Sequence, residues 1–162
     1  PDYLRVIRFK TAKLFEASSR LAAVLAGSDT AQEEACATYG QALGTAFQII
    51  DDVLDYDGDS QEMGKNLGDD LREGKATLPL IAAMQKGSAT QAQMIRHAIE
   101  NGSTDQLDAI VTVVRETGAL DVAREAAAAE AHRAIKALST LPDSAYRTAL
   151  LQLAAQLLQR RT

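Results

Sequence analysis

The chain has 162 residues, 46% hydrophobic and 24% charged, which suffices for one globular domain with a sizeable core. Its net charge of −5, without a dense basic run, argues against nucleic acid or an anionic membrane surface as the main partner. Cys36 is the only cysteine, which excludes an internal disulfide and fits a small buried thiol in a reducing cytoplasm, and no apolar run is long enough for a membrane span, so the chain reads as soluble.

Tyr3 to about Leu25 reads as one long amphipathic helix ending at Gly27, with Tyr3, Val6, Ile7, Leu14, Ala17, Leu21 and Val24 on its apolar stripe. Arg5, Arg8, Glu16 and Arg20 fall off that stripe, whereas Lys10 lies within it. The spacing therefore predicts a cation aimed where its neighbours are buried, or else a lysine that snorkels to water. A start at Pro1-Asp2 instead of Met, with helix pattern at once and no signal-peptide pattern, leads to the expectation of a fragment.

A second helix is predicted from about Ala31 to Tyr56. At 100° per residue, Gln48, Asp51, Asp52 and Asp55 share an arc of about 100°. Leu43, Phe47, Ile50 and Leu54 lie on the other side. Gly44 falls on the carboxylate face, where it is expected to leave room for a ligand. Such a face can simply be solvated, but like charges this close are better tolerated around a divalent cation. Residues 57 to 74 read as a long loop that returns Lys65 and Lys75 towards the aspartates. Carboxylates suit Mg²⁺ and ammonium groups suit the remaining charge of a diphosphate, so the mixture fits both at once.

Two local patterns in this loop fail as motifs. Asp55-Tyr56-Asp57-Gly58-Asp59 opens like a calcium loop, but Ser60 and Asn66 occupy the positions that need Gly and Glu. Gly68 to Lys75 has one residue too many for a P-loop, and Ala76 stands where Ser or Thr is needed.

Helix resumes near Leu78-Pro79 and closes at Gly87. Ser88-x-x-Gln91 and Ser103-x-x-Gln106 resemble capping boxes for two further helices that stop near Gly102 and Gly118. An alanine-rich helix covers about Leu120 to Leu138, and Pro142-Asp143 introduces the last, to about Arg160. His97 and His132 sit singly on polar faces, without zinc-site spacing. No strand pattern competes, so the fold class is an all-α helical bundle.

Taken together, Lys10-Thr11, Phe47-Gln48-x-x-Asp51-Asp52-x-x-Asp55, Gly64-Lys65, Asp70 and Gly74-Lys75-x-Thr77-Leu78-Pro79 resemble the C-terminal half of trans-polyprenyl diphosphate synthases. Residues 3–15 and 44–48 look most like the bacterial octaprenyl branch of that family. The resemblance runs over essentially the whole chain. It implies the C-terminal half of the isoprenoid synthase fold, and a prenyltransferase joining an allylic polyprenyl diphosphate to isopentenyl diphosphate, with a long-chain product of the kind used for quinone side chains. It also implies Mg²⁺ as cofactor, no nucleic-acid partner, and a homodimeric parent protein.

By the same resemblance Asp51, Asp52 and Asp55 are the second aspartate-rich motif, with Asp51 the direct metal ligand and Asp70 orienting metal-bound water or a lysine. Lys10, Lys65 and Lys75 would bind the allylic diphosphate. Thr11 and Gln48, beside Phe47, would position the reacting carbons and the developing cation. The loop 57 to 74 is expected to close as a lid. The family's first aspartate-rich motif and its arginine pair are absent, Asp69-Asp70-Leu71-Arg72-Glu73 being only a near match. The chain is therefore expected to supply about half an active site and to be inactive alone; the alternative is a non-catalytic or complementary helical subunit.

Overall fold

The computed structural model describes residues 2–57 and 67–160, and every regular element among them is helical. In chain order these are α1 (Asp2–Ile7), a π-helical turn (Arg8–Ala12), α2 (Lys13–Leu25), α3 (Thr30–Asp57), α4 (Asp69–Arg72), α5 (Leu78–Lys86), α6 (Ala89–Asn101), α7 (Leu107–Glu116), α8 (Ala119–Ala137), a 3₁₀ turn (Leu138–Thr140) and α9 (Ala145–Leu157).

The first predicted helix is thus interrupted by a π turn, which contains Lys10 and Thr11. Such turns hold one extra residue per turn and often mark functional positions. The predicted loop between the second and third helices contains a helical turn, α4. At α6, Ser88 accepts the Gln91 N–H while the Gln91 side chain accepts the Ser88 N–H, a complete capping box. The second expected box does not form. The helix begins at Leu107 with Gln106 as its cap, and the Ser103 hydroxyl accepts the Asp105 N–H instead. Helix α9 is capped by Ser144, whose hydroxyl accepts the Arg147 N–H.

The described residues divide into two compact units, residues 2–50 with 126–160, and residues 51–57 with 67–125. In the first, Ala12 is fully buried and Gly40 and Gly44 of α3 face the N-terminal helix at close range. A Cβ on Gly44 would lie 2.8 Å from the Ala12 Cα, and one on Gly40 only 2.3 Å from the Phe15 carbonyl oxygen. Gly44 therefore serves helix packing and not a ligand, which corrects the expectation from its position on the helical wheel. Arg8, Glu130, Arg133 and Gln41 form a polar network along the same unit, with Arg8 Nη2 donating to Glu130 Oε1 at 2.9 Å. Tyr39 donates its hydroxyl to the Leu150 carbonyl at 3.0 Å.

The apolar stripe predicted for the N-terminal helix is largely uncovered. Ile7 is buried, but Val6, Leu14, Leu21 and Val24 are exposed, as are Phe9 at 74% and Leu25 at 87%. Helix periodicity reveals an apolar face without revealing what covers it, and here the covered face is the one carrying Ala12 and Ala23. Cys36 is half-buried, with its thiol pKa pushed up by desolvation. His97 and His132 are exposed, as their settings predict.

In the second unit, α5 packs on α6 and α7, with Leu80, Ile95, Ile110 and Val114 fully buried, and α4 rests on α6. No helix among the described residues is long and apolar enough to cross a membrane.

Candidate active site

The last turns of α3 place Asp51, Asp52 and Asp55 in the second unit, Asp52 being 3% exposed. Asp55 does more than present a charge. Its Oδ1 accepts the Asp69 N–H and its Oδ2 the Asp70 N–H, both at 3.1 Å, while its carbonyl accepts the Gly68 N–H at 3.2 Å. The cap of α4 is Gly68, which has no side chain, so Asp55 supplies from outside the acceptors that the first helical turn needs. Burial raises the Asp55 carboxyl to about 6, with the charges of Asp70 and Asp69 adding and the two N–H bonds opposing.

The chain then reverses at Gly74, whose φ of +68° lies in the left-handed region. That turn brings Lys75 back on Asp70: its N–H bonds the Asp70 carbonyl at 2.9 Å and its ammonium lies 3.1 Å from Asp70 Oδ1 and 2.6 Å from Glu73 Oε2. Glu73 first and Asp70 second hold the Lys75 ammonium above its usual pKa, against its partial burial. Arg72 pairs with Asp69 and Arg124 with Asp57. The sequence offers Glu73 only as the end of a near-match motif, because its pairing with Lys75 depends on the Gly74 reversal.

No three His, Cys, Asp or Glu side chains among the described residues converge as a ready metal cage. The expected set Asp51, Asp52, Asp55 and Asp70 is therefore not a closed four-ligand site in this structure, and both Asp55 oxygens already accept bonds. The donors nevertheless suit Mg²⁺, which takes hard oxygens and is commonly held by one or two carboxylates, with waters and substrate phosphates completing the shell. Lys75 beside Asp70 adds the positive charge that a phosphate oxygen needs.

In the first unit the Thr11 hydroxyl donates to Gln48 Oε1 at 2.8 Å, so these two residues meet across the π turn and α3. Lys10 is exposed, and so are its neighbours Val6, Phe9 and Leu14. The expected cation in buried surroundings is thus not found; the face around Lys10 is open. The ring of Phe47 lies 5.7 Å from that of Phe15, and Arg160 stands over it with its guanidinium carbon 5.1 Å from the ring centre. All three line an apolar groove of about 450 Å³ with Leu43 and Leu157. Arg160 has no sequence signal, since it is far from Phe47 along the chain and only the fold joins them. Lys65 and Gly64 lie outside the described residues, as does the first part of the loop expected to act as a lid.

A helical chain with an aspartate-bearing helix end, a returning lysine turn and an apolar groove is of the class that includes the isoprenoid synthases. Residues 1–116 match the polyprenyl synthetase family model, and the chain belongs to that family. It is 50% identical over 154 residues to octaprenyl diphosphate synthase of Haemophilus influenzae, covering 94% of this chain and 47% of that protein. To octaprenyl diphosphate synthase of Escherichia coli it is 49% identical over 160 residues, 98% of this chain and 50% of the other. A crystal structure of polyprenyl synthase from Caulobacter crescentus, complexed with calcium and isoprenyl diphosphate, superimposes with a TM-score of 0.91 at 42% identity, over 99% of this chain and 49% of that one. The chain spans about half the length of the curated relatives it matches.

Proposed function

We propose that this chain is the C-terminal part of a polyprenyl synthase domain, and that the complete protein lengthens an allylic polyprenyl diphosphate by condensation with isopentenyl diphosphate. The observation that carries the reading is the turn that sets Lys75 against Asp70 while Asp55 anchors the same turn through two backbone N–H groups. An ammonium group held among carboxylates is suited to a ligand bringing both a cation and several negative charges, which describes a magnesium diphosphate.

Mg²⁺, when bound, would neutralise charge on the departing diphosphate. Asp51 and Asp52 are the candidates to hold it, with Asp70 and the remaining lone pairs of Asp55 in support. Lys75 binds diphosphate oxygens and keeps its proton, since its neighbours favour the charged form. Lys10 and Lys65 are proposed to serve the same group. Thr11 and Gln48, tied by their hydrogen bond, orient the reacting carbons near Phe47. Ionisation of the allylic carbon–oxygen bond is then assisted mainly by fixed charges, the most effective form of stabilisation where charge develops. The double bond of isopentenyl diphosphate attacks the resulting cation, and loss of a proton restores neutrality.

The relatives' names favour a long product such as an octaprenyl chain, suited to a quinone side chain. The family resemblance favours a homodimeric complete protein, and the single cysteine fits work in the cytoplasm. The test is Mg²⁺-dependent incorporation of radiolabelled isopentenyl diphosphate, by this chain alone and by the chain joined to a segment supplying the rest of its relatives' length. We expect no turnover alone and elongation when joined. A folded joined protein that elongates nothing would sink the enzymatic reading, and robust turnover alone would sink the half-site reading.

A further inference from the structure

The N-terminal helix buries its small side chains and leaves its large ones in water. At 100° per residue Leu14, Leu21 and Leu25 of α2 share an arc of about 40°, and Ala23 lies on the opposite side. Ala23 is 4% exposed, whereas Leu14, Leu21 and Leu25 are 72%, 58% and 87% exposed. Of the eight large apolar side chains that stand exposed among the described residues, six lie between Val6 and Leu25.

The contact with α3 accounts for the buried side and not for the open one. Gly40 comes so close to the Phe15 backbone and Ser19, and Gly44 to Ala12, that only small groups fit between the helices. Burying alanines contributes little to the hydrophobic effect, and leucines left in water contribute nothing, so the open row is unused within this chain. Leu14, Leu21 and Leu25 follow one another at intervals of seven and four residues. That is the spacing of a seam that receives a second helix lying along it. An apolar row of this extent marks an interaction surface.

We propose that this seam is where the segment supplying the other half of the relatives' length docks, through an apolar helix face laid along Leu14, Leu21 and Leu25. The proposal rests on the reading of the chain as part of a polyprenyl synthase domain. The chain spans about half of the relatives it matches, so each of those proteins carries a second half of similar size that packs with this same fold. Among the described residues, the row from Val6 to Leu25 is the longest apolar surface open to receive it. A second copy of the chain would occupy the seam and leave that half without this surface. The same cover would surround Lys10 with buried neighbours, the setting its place on the helix predicts.

Thiol labelling tests this on Leu14→Cys and Leu21→Cys, each combined with Cys36→Ser, in the chain alone and in the chain joined to a segment supplying the rest of its relatives' length. We expect both positions to label about tenfold or more slowly in the joined protein, because a covered thiol reacts only when the contact opens. Leu14→Ser with Leu21→Ser should lower the melting temperature of the joined protein by about 5 °C or more and shift that of the chain alone by less than about 2 °C, since only the joined protein buries these side chains. Equal labelling in the two proteins, or an equal response to the serine substitutions, would overturn the docking surface, and elongation by the same joined protein would leave the enzymatic reading standing. Protection in the joined protein without elongation would uphold the surface and sink the enzymatic reading. Labelling of the chain alone that speeds up on dilution, with a dimeric mass before dilution, would make a second copy the occupant and overturn the proposal.

Discussion

The end of α3 and the N-terminal helix both carry charged residues of the proposed chemistry, yet they are built differently. From Asp51 to Lys75 the polar groups answer each other: Asp55 holds two N–H groups of α4, and Lys75 is paired with Asp70 and Glu73. Around Lys10 the helix leaves its cation and the apolar side chains of Val6, Phe9 and Leu14 exposed. A region completed by hydrogen bonds within a short span of chain keeps its geometry unaided. A region whose apolar face is uncovered does not define its surroundings.

The largest effect should come from the close helix contact that fixes the second region's backbone. Gly40→Val puts a Cβ where the Phe15 carbonyl oxygen would be 2.3 Å away. The helices must then move apart, with a loss of about 3 kcal/mol or more, read from chemical denaturation. Retained stability would show that the N-terminal helix adapts freely.

Next comes Lys75→Met, which removes the central cation of the better-built region. Its ion pairs are partly exposed, so stability should change by less than about 1 kcal/mol. Mg²⁺-dependent diphosphate binding, by contrast, should weaken by about tenfold or more, roughly the worth of a charge-assisted bond. A stability loss exceeding the binding loss would reverse the roles assigned here.

A smaller effect concerns pH. Asp55 is raised from 3.8 to about 6 in the folded chain, so between those values the folded state keeps a proton that the unfolded state has released. The Asp55 contribution to stability is therefore full below about 3.8 and is lost as pH rises through about 6, where the buried carboxylate becomes charged. Stability curves from pH 4 to 7 should show that decline, and Asp55→Asn should flatten it. Mg²⁺ binding should follow the opposite course and tighten through the same interval, because a carboxylate binds metal only after losing its proton. A Mg²⁺ affinity equal at pH 5 and pH 7 would remove Asp55 from the metal's surroundings.

The smallest effect is expected at the exposed stripe. Leu14→Ser with Leu21→Ser should alter the stability of this chain by within about 0.5 kcal/mol, since both side chains are already in water. A large loss would mean that these residues are covered by a contact within the chain in solution.

Much of the architecture was legible because helix signals are local. The Ser88–Gln91 capping box, the stops at Gly102 and Gly118, and the α3 span were all recoverable from spacing and turn chemistry. The Ser103 prediction failed on equally good spacing, because Gln106 itself became the cap. The π turn at Lys10 and Thr11 was hidden, since one extra residue in a turn leaves no distinct mark in an already amphipathic run. The aspartate face was readable from periodicity, but the partners of each aspartate were not.

By itself, then, the sequence determined an all-helical chain, the positions of its helices and a carboxylate face with lysines following it, because these depend on neighbours within a few residues. Only the tertiary structure decided that Asp55 caps α4, that Gly44 admits Ala12 and not a ligand, that Arg160 covers Phe47, and that the stripe beside Lys10 stays open. Those outcomes depend on which distant segments come within a few ångströms of one another, and periodicity along one helix carries no information about the surface that meets it.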